Sequence, residues 1–331
     1  VLDATTGIEP RQGRIVAAFA AVYLIWGSTY LAIRFAIETI PPHLMAAARF
    51  LVAGAILYAW ARLRGAPRPT FANWRAAAVV GGLLLLGGNG AVVWAETRVP
   101  SGVTSLLVAT VPIWMAIIEG LRNGGRRPAK AVIAGLVLGL GGLAVLLAPG
   151  KLAGRVDLLG AGVLLLGSFS WAFGSLLSRT AKLPKSGFLA AAMEMIAGGV
   201  WLLLLGLVTG QAGRLTLAAL SAKSLVSLAY LIVFGSLVGF TAYIWLLGVT
   251  TAARVSTYAY VNPVVAVLLG WAFAGEAMTL RTALAAGVIV AAVALIIRYG
   301  ARPGGAAARG STVPPTSVAA KGAVPRQAVA R

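Results

Sequence analysis

The feature that most constrains this chain is a succession of apolar runs, each about twenty residues long, separated by short polar breaks. An α-helix of that length crosses a hydrocarbon layer of roughly 30 Å. The runs fall near 14–34, 43–62, 74–95, 101–121 and 131–149, then near 156–179, 186–209, 224–248, 254–275 and 281–298. Gly and Pro mark most breaks, as at Pro41-Pro42, Pro67 to Pro69, Gly124-Gly125 and Pro149-Gly150. The first run, Ile15 to about Ile33, is too long for a signal-peptide core and reads as a retained span; Val1 in place of Met suggests a trimmed extreme N-terminus. The short alternating segments of a membrane β-barrel are absent. The expected fold is an all-α polytopic membrane protein of ten transmembrane helices.

Composition supports lipid as the solvent. The 331 residues are 60% hydrophobic and 11% charged, whereas a soluble domain carries about 25% charged residues. With no cysteine there is no disulfide, thiolate nucleophile or cysteine metal site. One histidine, His43, makes no zinc cluster, so neither metal nor cofactor is expected.

The net charge of +20 does not form a nucleic-acid recognition stripe. Of the 28 Lys and Arg, twenty fall on one side of the ten-span layout and six on the other, with Arg34 and Arg49 inside spans. The positive-inside rule then puts both termini in the cytoplasm, as an even number of spans also requires. Residues 1–13 are a cytoplasmic N-terminal segment. Residues 299–331, rich in Gly, Ala, Pro and Arg, are expected to form a disordered basic cytoplasmic tail.

The chain also repeats itself. A shift of 151 residues places Trp94 on Trp245, Ser105 on Ser256 and Pro112 on Pro263 without a gap. A shift of 144 pairs Ala46-Ala47-Ala48 with Ala190-Ala191-Ala192, and one of 147 pairs Gly27-Ser28 with Gly174-Ser175. Five spans is an odd number, so residues 14–149 and 156–298 must cross the membrane in opposite senses. Two inverted five-helix repeats of this kind build secondary transporters, with the solute near the midplane between them.

Chemistry-bearing residues are few enough to name. Pro112 and Pro263 should loosen spans 4 and 9 near the midplane, as hinges or as static kinks that aid packing. Tyr243, Trp245, Tyr258, Tyr260 and Asn262 form the densest polar-aromatic set, with Trp26, Ser28, Tyr30, Asn89, Trp94 and Trp114 as first-half candidates. Trp171 and Ser175 add to them from span 6. Such a wall suits amphiphilic organic solutes better than bare ions. The competing role is the interfacial aromatic belt, which fits Trp60, Trp74, Trp94, Trp201, Trp271 and Tyr299. Arg49 and Glu194 are the charges deepest within spans, candidates for a charged gate or for structural ion pairing. Spans 5 and 10 are almost wholly Ala, Gly, Leu, Val and Ile, and should be scaffold or subunit contact; the oligomeric state stays open.

Trp26-Gly27-Ser28 with Arg34 later in span 1, Ser105 to Pro112, its repeat Ser256 to Pro263, and Gly275-Glu276 before span 10 together resemble the EamA-type branch of the drug/metabolite transporter superfamily. The resemblance covers roughly residues 14–298, and the aromatic content of spans 8 and 9 is most similar to the YddG-like amino-acid exporters. Gly125 stands where the first half would match Glu276, so that acid is expected to be structural. The resemblance implies a secondary transporter in the bacterial inner membrane that exports amino acids or similar small metabolites by alternating access. Its partners would be that small-molecule substrate and membrane lipid. Export of drugs or other metabolites is the nearest alternative. A channel or an intramembrane enzyme is further off: His43 has no Gly-x-Ser-x-Gly partner, and no Gly-rich motif ends in Lys-Ser or Lys-Thr to hold ATP phosphates.

Overall fold

The computed structural model describes residues 12–99, 104, 107–122, 129–147, 157–274 and 280–299. Ser105, Gly125 and Glu276, the two ends of the chain and the linker near 150 lie outside the described residues. Among those described, the regular structure is helical, with no strand. Among the described residues ten helices exceed ten residues, in chain order: α1 Gln12–Ala36, α2 Pro42–Leu63, α3 Phe71–Ala95, α4 Val111–Arg122 and α5 Lys130–Leu147. The second five are α6 Leu158–Ser178, α7 Gly187–Val208, α8 Ala222–Val249, α9 Tyr258–Ala274 and α10 Leu280–Tyr299. Helices α1, α2, α3, α6, α7 and α8 are long and apolar enough to cross a membrane; α5 and α10 carry shorter apolar stretches. The protein is an all-α polytopic membrane protein.

Polar residues at the breaks start and stop these helices. Thr70 and Asn73 form a reciprocal capping box at the start of α3, and Asn73 also donates to the Lys182 carbonyl at 2.8 Å. Asp157, Ser186 and Ser221 cap α6, α7 and α8 by accepting backbone N–H bonds. Helices α2 and α7 both end at a glycine in the left-handed region, Gly65 at φ 84° and Gly210 at φ 70°.

Close packing runs through glycines. A Cβ on Gly54 of α2 would lie 2.9 Å from the Ile196 side chain on α7, and one on Gly199 of α7 would lie 2.8 Å from Leu51 on α2. Gly199 follows Gly54 by 145 residues and Ile196 follows Leu51 by the same number, so the α2–α7 contact is reciprocal. The same reciprocity appears at α1 and α6. A Cβ on Gly88 of α3 would lie 2.6 Å from Trp171 of α6, and one on Gly239 of α8 would lie 2.5 Å from Trp26 of α1. Here the glycines are 151 apart and the tryptophans 145 apart. The contacts therefore replace the sequence shifts of 144 and 147 by 145, and keep 151 for spans 3 and 8. Helix α5 packs along α10, with Gly135 and Gly142 against Ile296 and Ile289.

Two features differ from the sequence expectation. Span 4 is not a continuous helix with a proline inside it. The chain turns at Ala109-Thr110 and α4 begins at Val111, so Pro112 occupies the first turn, where its missing N–H leaves no helical bond unmade. Pro263 does lie inside α9. Second, Gly82–Asn89 of α3 and Leu231–Phe240 of α8 are wound as π-helix, and their last residues are again 151 apart. Long π-helical stretches are rare and gather at functional sites. Each receives a side-chain donor from a neighbour: Ser170 Oγ donates to Leu83 O at 2.8 Å, and Trp26 Nε1 to Gly235 O at 3.1 Å.

Candidate functional site

Beside these π-segments lies a partly open cavity, which together with its open mouth encloses about 660 Å³ of empty space. Helix α1 supplies Trp26, Thr29, Tyr30 and Ile33; α2 supplies Arg49 and Phe50; α3 supplies Gly88, Asn89 and Val92. Val108, before the turn, and Val111 of α4 close it, with Gly167, Ser168 and Trp171 from α6, Phe240 from α8, and Tyr258 and Asn262 from α9. Helices α5, α7 and α10 give it no wall.

Four rings at the cavity's edge come from α1, α6, α8 and α9. Trp26 lies 5.7 Å from Trp171, 5.0 Å from Tyr243 and 4.9 Å from Tyr258 between ring centroids. Tyr243 lies 5.5 Å from Trp171 and 5.6 Å from Tyr258. Tilted and edge-on pairs at these separations hold the set rigid, each pair adding about 0.5–1.5 kcal/mol beyond burial. Hydrogen bonds fix the orientations. Trp171 Nε1 donates to Tyr243 Oη at 2.9 Å, Tyr243 Oη is bonded to Ser175 Oγ, and Ser175 Oγ donates to Trp171 O at 2.6 Å. The Asn262 amide, with its nitrogen turned toward two carbonyls, donates to Tyr258 O at 3.0 Å and Tyr23 O at 3.3 Å.

Arg49 is buried in the wall. Its Nε donates to Ser236 Oγ at 2.8 Å, and its guanidinium carbon lies 4.7 Å over the Phe50 ring. Glu194 is fully buried away from the cavity; its Oε1 accepts from Ser178 Oγ at 2.9 Å and its Oε2 has no partner. The two charges are not paired with each other.

The structure thus gathers Trp26, Tyr30, Asn89, Trp171, Tyr258, Asn262 and Arg49 at one cavity, with Tyr243 and Ser175 immediately behind. Other sequence candidates lie elsewhere. The Tyr260 ring is buried against Gly139 of α5 and its hydroxyl donates to Leu136 O at 3.2 Å. Trp94 sits under Arg98 at 4.8 Å, an interfacial arrangement, and Trp245 packs on the neighbouring core. Ser28 bonds to the Tyr230 hydroxyl. Thr29, Phe50, Ser168 and Phe240 were not singled out in the sequence, because Phe and Thr in an apolar run look the same whether they face lipid or a cavity. Among the described residues no three His, Asp or Glu come together to hold a metal ion.

A polar-aromatic cavity among membrane-crossing helices suits a membrane transporter, and the family of the chain is one of transporters. The model of the EamA-like transporter family matches residues 13–148 and again 158–298, so this chain belongs to that family. It is 42% identical over 283 residues to YedA of Escherichia coli (strain K12), described as an uncharacterized inner membrane transporter, covering 85% of this chain and 90% of that one. It is 25% identical over 283 residues to the transporter YvbV of Bacillus subtilis (strain 168), covering 86% and 91%. It is 26% identical over 269 residues to a "Probable terminal-alkyne amino-acid exporter" of Streptantibioticus cattleyicolor, covering 80% and 87%. A solved crystal structure with 21% identity shares the fold at a TM-score of 0.71, over 86% of this chain and 96% of that one.

Proposed function

We propose that this transporter exports amino acids or similar small organic metabolites across the inner membrane by alternating access, with both termini in the cytoplasm. The observation that carries the proposal is the cavity itself. Its aromatic walls come from both matched segments, and its amides and one charge, Asn89, Asn262 and Arg49, are set among apolar neighbours with the hydroxyls of Thr29, Tyr30, Ser168 and Tyr258. That is the lining of a site for a small amphiphilic molecule. The reciprocal contacts at α2–α7 and at the two tryptophans favour two inverted five-helix repeats, 14–149 and 156–298. One asymmetric unit used twice in opposite senses has two states of similar energy, open to opposite sides. The exporter from Streptantibioticus cattleyicolor lends support to an amino-acid solute.

The test is counterflow in proteoliposomes loaded with unlabelled amino acids and offered a labelled panel. Uptake that depends on an internal amino acid supports the proposal. Uptake of lipophilic drugs alone would make the protein a drug exporter of the same fold.

A further inference from the structure

Among the described residues, Arg49 is a cation with no ion-pair partner. Its guanidinium keeps its charge at any physiological pH, and its residue is 4% exposed, on the eighth position of a membrane-crossing helix. An ionised group at such depth is costly unless it is partnered or does work. None of the described acids pairs with it: Glu38 pairs with Lys223, Glu119 with Arg179 and Asp157 with Arg98, while Glu194 accepts from Ser178 and Glu96 feels the charge of Arg34. Ser236 accepts the Nε proton of Arg49. The fork of a guanidinium matches a carboxylate, two parallel N–H bonds to two oxygens.

Asn89 presents the opposite chemistry on the same cavity. Its Oδ1 is shielded from solvent and has no donor. The Asn262 amide nitrogen is spent on two backbone carbonyls. The faces of Trp26 and Trp171 also favour a cation.

We infer that the solute is a zwitterion, its carboxylate held by Arg49 and its ammonium by the Asn89 carbonyl oxygen beside the indoles, with an apolar side chain against the aromatic wall. This deepens the functional proposal and rests on the cavity being the solute site. It excludes solutes that carry only a positive charge, because they would meet Arg49 without repaying its burial.

The experiment is counterflow in proteoliposomes with three sets of probes. L-leucine, L-methionine and L-phenylalanine are each compared with their α-amides, which lack the carboxylate, and with their deaminated acids, which lack the ammonium. The wild type should exchange an amino acid at least about tenfold faster than its amide, the scale of one charge-assisted pair. Arg49→Gln should lose about that factor for the amino acid and change the amide little, and Arg49→Lys should recover part of it. Asn89→Leu should erase the preference over the deaminated acid. An amide that the wild type exchanges as fast as its parent amino acid, or an Arg49→Gln protein that still discriminates between the two, overturns the inference. If Arg49→Gln does not fold, the wild-type ratio decides alone. If no probe of any set exchanges, the organic-solute proposal itself falls, an outcome distinct from loss of discrimination.

Discussion

Trp26 and Trp171 meet edge-on with ring centroids 5.7 Å apart, and each indole rests on a glycine from the other matched segment, Gly239 and Gly88. Each also donates its indole N–H, Trp26 to Gly235 O and Trp171 to the Tyr243 hydroxyl. The two side chains therefore anchor π-helical α8 and the adjoining α6–α8 contact from equivalent places. Trp26→Phe and Trp171→Phe keep the ring but lose that bond. Each should lower stability by about 1 kcal/mol and slow counterflow by a similar factor. A large loss in one and none in the other, read by thermal melting and counterflow together, would break the equivalence.

The glycines under those indoles are under far tighter constraint than Gly141 of α5. Gly88→Ala and Gly239→Ala push a methyl into an indole and should cost about 1–3 kcal/mol, with transport falling with it. Gly141→Ala on α5 has open space around it. It should be neutral or stabilising by up to about 1 kcal/mol, because Ala is the better helix former. Melting temperatures of the three variants in one detergent make the comparison.

The proposed topology puts Arg68, after α2, in the cytoplasm and Arg214, after α7, on the opposite face. Both are exposed, and the chain has no native cysteine. Arg68→Cys and Arg214→Cys should react with an impermeant maleimide from opposite sides of sealed vesicles. Labelling from one side for both would remove the inverted arrangement.

Glu96 follows the last residue of α3, with both carboxylate oxygens shielded and unpartnered. Burial pushes its pKa up to about 8, against the opposing pull of Arg34. The folded state thus holds a proton that the unfolded chain releases near pH 4.5. The stability tied to that proton is complete below about 4.5. It falls as the pH rises toward 8 and changes no further above it. Glu96→Gln should flatten the melting temperature across that window. An unchanged slope would assign the pH dependence to another group.

Much of this arrangement was legible in the sequence. Tyr258, Asn262, Asn89 and Arg49 are visible because polar atoms inside twenty-residue apolar runs need a reason. Tyr260 shows where that reasoning ends: two residues from Tyr258, it turns to α5, and only the packing of Gly139 reveals it. The offset of 144 came from runs of Ala and Gly, which match cheaply at neighbouring shifts, while the Gly54–Ile196 and Leu51–Gly199 contacts select 145. The π-segments had no sequence signature, since Gly-Leu-Leu-Leu-Leu-Gly-Gly-Asn is equally compatible with α-helix. Phe50 and Phe240, which close the cavity, are indistinguishable by composition from lipid-facing Phe.

The cavity beside Trp26 is the proposed path of the solute. Thr29 lines it, is close to cysteine in volume, and can be the chain's one thiol. Thr29→Cys should transport near the wild-type rate, lose counterflow on reaction with a small methanethiosulfonate reagent, and be protected by excess transported amino acid. Val290→Cys, on the exposed face of α10, should react without effect on transport. Full counterflow after complete modification of Thr29→Cys, or modification that the solute does not slow, would contradict the account.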